Sequence, residues 1–209
     1  MVKSIDGRAR IYNRQIDVLI LCTANQCRSP MAEALLRHRL DEHGVDAVVT
    51  SAGLYPAGNP AMEHAVEVMA DRGLDLEPHR SRQVDAEALA RADLVLGMTR
   101  EHVREVAVLD PGILPRTFTL KELVRAGLDA GPRRPGESVD AYLARLGAGR
   151  RREALLGVGH DPDFDVEDPV GRPIADFEVT AIELEELLDR LVSLVWPRRA
   201  DHGAEERSA

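Results

Sequence analysis

Aromatic residues are scarce in this chain: three Phe, three Tyr and one Trp, 3% of 209 residues. Its core must therefore be aliphatic, filled by Ala, Leu and Val. Cysteine is scarcer still. The only two, Cys22 and Cys27, lie five apart in one stretch, which excludes a disulfide framework. With no second Cys/His pair at ligand spacing, they do not make a zinc site either, so no metal and no cofactor are expected. No apolar run approaches the roughly 20 residues of a membrane-spanning helix. The N-terminus lacks the pattern of a signal peptide, and the expected location is cytoplasmic. Excess positive charge is absent too. A net charge of −9 excludes general affinity for nucleic acid, which needs a basic face. It leaves room for an anionic substrate, because the site for one phosphate is local.

The chemistry is concentrated in Cys22-Thr23-Ala24-Asn25-Gln26-Cys27-Arg28-Ser29-Pro30. An apolar run, Ile16 to Leu21, leads in, and a helical pattern starting at Met31 leads out. A strand-to-helix turn of this kind can curl its backbone N–H groups around one oxyanion, and the helix N-terminus adds partial positive charge. Arg28 supplies a fork for two phosphate oxygens. The same field favours thiolate over thiol at Cys22, making it a nucleophile in an anion cradle. The plainer alternatives are that Cys22 is a small buried hydrophobe and that Ser29 and Pro30 are the N-cap and first residue of the helix.

Hydrophobic periodicity outlines the remainder. Strands are expected at 16–21, 47–51, 93–98 and ending at 117–118. Helices are expected at 30–43, 60–72, 85–91, 101–108, from the capping box Thr119-Leu-Lys-Glu122 onward, at 139–156 and at 174–195. The last carries an apolar stripe of Phe177, Ile182, Leu184, Leu187, Leu188, Leu191 and Leu194. Residues 127–137 are rich in Gly and Pro and read as a loop. The run Arg150-Arg151-Arg152 reads as a solvated helix face. Residues 1–15 read as an N-terminal extension, 16–196 as one domain, and 197–209 as a disordered tail. Alternating strands and helices imply an α/β fold: a four-stranded parallel sheet in three layers, helices on both faces, with Cys22 at the carboxyl end of the first strand, where such sheets bind ligands.

The chain resembles the low-molecular-weight protein tyrosine phosphatases over roughly residues 16–195. Their C-x4-C-R-S-P signature is matched by Cys22, Cys27, Arg28, Ser29 and Pro30, their loop Asn by Asn25, and their Ser after the second strand by Ser51. Their His-x-x-Arg-Gln segment is matched by His79 to Gln83, and their late Asp-Pro by Asp168-Pro169. The resemblance implies catalysis by Cys22, Arg28 and Asp168, with Asp161 in Asp161-Pro162 as the fallback acid. It implies substrate contacts from the loop, Thr23, Ala24, Asn25, Gln26, Cys27 and Ser29, and support of the loop by Ser51 and His79. Tyr55 is the candidate aromatic wall of the cleft. The implied partner is a phosphorylated protein, a tyrosine kinase or its targets, with the enzyme a monomer or weak dimer and residues 127–159 longer than a minimal member needs.

Four departures stand out. Ala24 replaces a residue often Gly in the family, so a positive φ there would be strained. Thr99 replaces an expected Asp, and Val170 an expected aromatic. Gln26 stands where an aliphatic residue goes with phosphotyrosine and Thr with phosphoarginine. Hydrolysis of phosphotyrosine through a cysteinyl-phosphate is the leading expectation. Protein-arginine phosphatase, arsenate reductase coupled to a small thiol, and a non-catalytic phospho-ligand binding module stay open.

Overall fold

The computed structural model describes residues 15–56, 58–148, 150 and 159–198. The expected N-terminal extension up to residue 14, the tail from residue 199, and the expected helical stretch 151–156 lie outside them. Strand β1 (Ile16–Cys22) forms where the IDVLILC run has too many consecutive apolar residues for a one-sided element. It sits inside a four-stranded sheet with β2 (Ala47–Gly53), β3 (Leu94–Gly97) and β4 (Thr117–Thr119), all parallel, in the order β2-β1-β3-β4.

Side chains of β1 alternate between two cores. Val18, Ile20 and Cys22 point to the larger one, and Leu19 and Leu21 to the smaller. β3 does the same, with Leu94 and Leu96 on one face and Val95 on the other. The larger core is closed by α1 (Arg28–Glu42), α2 (Glu63–Ala70), α5 (Leu120–Ala130), α6 (Val139–Gly147) and α7 (Ile174–Val195). The smaller is closed by α3 (Ala86–Arg91) and α4 (Arg100–Leu109). The smaller core is wholly aliphatic, and the larger is mainly so, with Phe118, Tyr142, Phe177 and Trp196 buried among its aliphatic side chains.

Local signals explain most boundaries. Asp85 caps α3 by accepting from Ala88 N, and Thr119 with Glu122 forms the capping box that starts α5. Five expectations need correction. The helix expected from Pro60 begins at Glu63, because Met62 is extended and donates its N–H to Gln26 O at 2.8 Å. The loop expected from residue 127 is helical to Ala130. Gly127 is a packing choice there, since a Cβ would lie 2.8 Å from Leu194 Cδ1 and 2.9 Å from Tyr142 Oη. The helix expected over 139–156 ends at Gly147. Arg150 is no solvated face: it grips the Glu122 carboxylate at 2.7 and 2.9 Å and lies over the Phe118 ring. In α7 the expected Phe177, Leu184, Leu187, Leu188, Leu191 and Leu194 are buried, joined by Ala181, Val192 and Val195, while Ile182 falls outside the buried face.

Leu188 is fully buried while Ile182 is 45% exposed. Leu188→Ala is expected to cost about 2–5 kcal/mol of stability, and Ile182→Ala less than about 0.5 kcal/mol. Urea unfolding of the two variants checks this; equal losses would contradict the packing.

Candidate active site

Residues 22–28 curl between β1 and α1 at the carboxyl end of the sheet. Cys22, last in β1, has its sulfur 3.2 Å from the donating N–H of Asn25 and 3.0 Å from the donating hydroxyl of Ser29. Both interactions are stronger with a thiolate than with a thiol. Ser29 is thus no N-cap: α1 starts at Arg28, Cys27 is the N-cap, and the hydroxyl is spent on sulfur.

Asn25 holds the curl. Among the described residues it is the one non-Gly residue with positive φ, +54°, a conformation Asn tolerates better than most. The strain expected at Ala24 therefore does not arise. The Asn25 amide donates to Ser29 Oγ (2.9 Å) and Ser51 Oγ (2.8 Å) and accepts from Arg82 N (2.8 Å). Its backbone oxygen meets His79 Nε2 at 2.7 Å. Ser51 and His79 thus both touch the loop. Two further residues join that sequence reasoning did not single out. Ser51 Oγ donates to Glu33, which in turn pairs with Arg37. Glu33 lies one helical turn beyond Ser29, and that spacing was the available signal. Gly53 lies under the loop, where a Cβ would come within 2.9 Å of backbone atoms of Thr23, Ala24 and Asn25.

Arg28 is buried, with Nη1 donating to Val166 O at 3.1 Å and Nη2 to Thr23 Oγ1 at 3.3 Å and to Asp168 Oδ2. Its Nε is buried without a partner among the described residues. The structure thus brings Asp168 to the cradle. Asp161, the fallback, instead lies 3.4 Å from Arg100 Nη1. The loop bearing Asp168 is anchored by Val166 N on Met98 O (2.8 Å) and by buried Asp165, which accepts from Arg100 N and Asp161 N at 2.8 Å each. Cys27 is buried beneath the loop, and burial, with Asp168 and Cys22 nearby, pushes its thiol up. Gln26 is half-buried, and its side-chain amide makes no hydrogen bond among the described residues. Tyr55 is exposed, one residue beyond Leu54, whose N–H donates to Thr23 O at 2.8 Å. Val170 is also exposed, its N–H on Asp168 Oδ1 at 3.2 Å.

A sequence model of the family described as low molecular weight phosphotyrosine protein phosphatase matches residues 17–129. This chain belongs to that family. A protein-arginine-phosphatase of Bacillus subtilis is 33% identical over 177 residues, 84% of this chain and 94% of that one. A probable low molecular weight protein-tyrosine-phosphatase of Ralstonia solanacearum is 36% identical over 63% of this chain and 89% of its own length. The structure of a low molecular weight protein tyrosine phosphatase from T. tengcongensis superposes with a TM-score of 0.65 at 33% identity, covering 86% of this chain and 99% of that one. No helix among the described residues is long and apolar enough to cross a membrane.

Because backbone atoms, not flexible side chains, would meet the new methyl, Gly53→Ala is expected to displace the loop. A misplacement of that order costs about 100-fold in kcat/KM. Phosphatase kinetics together with an unchanged far-ultraviolet circular dichroism spectrum check this; full activity would contradict it.

Proposed function

We propose that the protein is a cysteine-dependent phosphatase that hydrolyses phosphotyrosine in proteins. The observation that carries the reading is that one short loop holds both the Arg28 Nε, buried without a partner among the described residues, and a Cys22 sulfur that accepts two hydrogen bonds. A buried N–H without an acceptor costs about 1–3 kcal/mol. A phosphoryl oxygen relieves that cost while Cys22 faces the phosphorus.

The reaction then runs in two steps. Cys22 Sγ attacks phosphorus, the bond from phosphorus to the leaving oxygen breaks, and protonated Asp168 gives that oxygen its proton. Water next attacks the cysteinyl-phosphate, Asp168 takes the water proton, the P–S bond breaks, and inorganic phosphate departs. Arg28 and the loop N–H groups hold the charge on the equatorial oxygens through both steps. Asp168 pairs with Arg28 in this structure. An incoming phosphoryl group competes for that guanidinium and frees the carboxyl to face the leaving oxygen. Residues 16–196 form the catalytic unit in this reading, and its targets are phosphorylated proteins, a tyrosine kinase or its substrates among them.

A second reading, hydrolysis of phosphoarginine, is favoured by the arginine phosphatase relative and by Gln26, whose uncommitted amide oxygen can accept from a guanidinium. Phosphate release from phosphotyrosyl and phosphoarginyl peptides, measured side by side, separates the two. Cys22→Ser is expected to abolish turnover of either. Asp168→Asn is expected to lower kcat by about 100- to 10,000-fold. Turnover surviving in Cys22→Ser would refute the cysteine mechanism.

A further inference from the structure

Thr23 is tied to α4 by one contact that the two-step reaction leaves unused, and to Arg28 by another. Its Oγ1 lies 3.2 Å from His102 Nε2 and 3.3 Å from Arg28 Nη2. His102 is buried in the first turn of α4, where its Nδ1 is 2.9 Å from Thr99 N and 2.9 Å from Thr99 Oγ1. Gly97 makes the space, since a Cβ there would lie 3.0 Å from Thr99 O and 3.1 Å from His102 Cβ.

The direction of each hydrogen follows from these partners. A backbone N–H can only donate, so His102 Nδ1 is the acceptor facing Thr99. Burial, with the charges of Arg28 and Arg104, pushes the His102 pKa down to about 3. The ring is therefore neutral at physiological pH, and its one N–H is Nε2–H, donated to Thr23. A guanidinium also can only donate. Thr23 Oγ1 thus accepts twice, which uses both lone pairs, and its own hydrogen is left as a donor. The Arg28 nitrogen that touches Thr23 is the one that touches Asp168, so this hydroxyl lies at the end of the guanidinium that faces Asp168.

We propose that the Thr23 hydroxyl donates a hydrogen bond to the phosphoryl group in the cradle, and that His102 is the positioning residue that aims it. The identity of the anion rests on the phosphatase reading. Binding of the anion can be measured without turnover.

Inorganic phosphate is titrated calorimetrically into each variant, alongside peptide kinetics and thermal melts. Thr23→Val, which keeps the shape and loses the hydroxyl, is expected to weaken phosphate binding and lower kcat, each by roughly ten- to a hundredfold. His102→Leu is expected to do the same, and the double variant to be no worse than either alone. Thr23→Ser, and His102→Gln with its N–H in place of Nε2–H, are expected to restore phosphate affinity. Wild-type phosphate affinity in Thr23→Val would overturn the proposal, as would fully additive losses in the double variant. If His102→Leu fails to fold, the Thr23→Val and Thr23→Ser pair decides alone. If the parent turned over neither peptide, the phosphatase reading would fall, while the phosphate titrations would still decide what Thr23 does.

Discussion

The site depends on the hydrogen bonding of one residue, Asn25. Its backbone N–H goes to the Cys22 sulfur, its side-chain nitrogen to two serines, its side-chain oxygen to Arg82 N, and its backbone oxygen faces His79. Every polar atom it owns is used while the residue is fully buried. A left-handed conformation costs an ordinary residue about 1–2 kcal/mol. Asn25 recovers that cost through its bonds, and the cradle can thus be bent before any anion arrives. Preorganisation of this kind is what makes electrostatic stabilisation effective, because no donor has to reorient during the reaction.

Around that bend the charges are arranged by depth. Arg28 is buried and in contact with Asp168, whose side chain is 39% exposed. Glu33 and Arg37 terminate the serine network on the far side, so the hydrogens along Asn25, Ser51 and Glu33 run one way: the amide donates to Ser51, and Ser51 donates to the carboxylate. The loop that carries Asp168 is not free either. Val166 is stitched to Met98, the residue after β3, and to Arg28, and Asp165 accepts from two backbone N–H groups. A loop with so many Asp residues looks solvated in sequence. Here one of them, Asp165, is an internal tie, and another, Asp168, is the one aimed at the cradle.

Much of this was legible in the chain. The apolar run before Cys22, the Cys-x5-Arg spacing and the alternation of strands and helices led to the parallel sheet with its loop at the carboxyl end of β1. Asn25, Ser29, Ser51 and His79 were legible through the family resemblance and do converge on the loop. The misreadings have physical reasons. Gly127 looked like a helix breaker because a glycine demanded by a neighbouring Leu194 and Tyr142 has the same letter as one demanded by a turn. Pro60–Met62 looked helical because periodicity cannot reveal that Met62 N is already donated to Gln26. Thr99 looked like a lost carboxylate, although its N–H and hydroxyl instead fix the His102 ring.

By itself, then, the sequence determined the local and the periodic: the two-sided burial of β1, the capping box at Thr119, the mainly aliphatic core, and the pairing of thiol and guanidinium across one loop. These depend on residues within a few positions of one another, where spacing and chemistry translate directly into geometry. Only the tertiary structure decided which of two Asp-Pro pairs reaches Arg28, that Gly53 had to be bare because a loop 28 residues earlier lies on it, and that a histidine from α4 touches the residue after Cys22. Those relations join segments 28 to 140 residues apart. They exist only once the sheet order β2-β1-β3-β4 places the carboxyl ends of β1, β2 and β3 side by side.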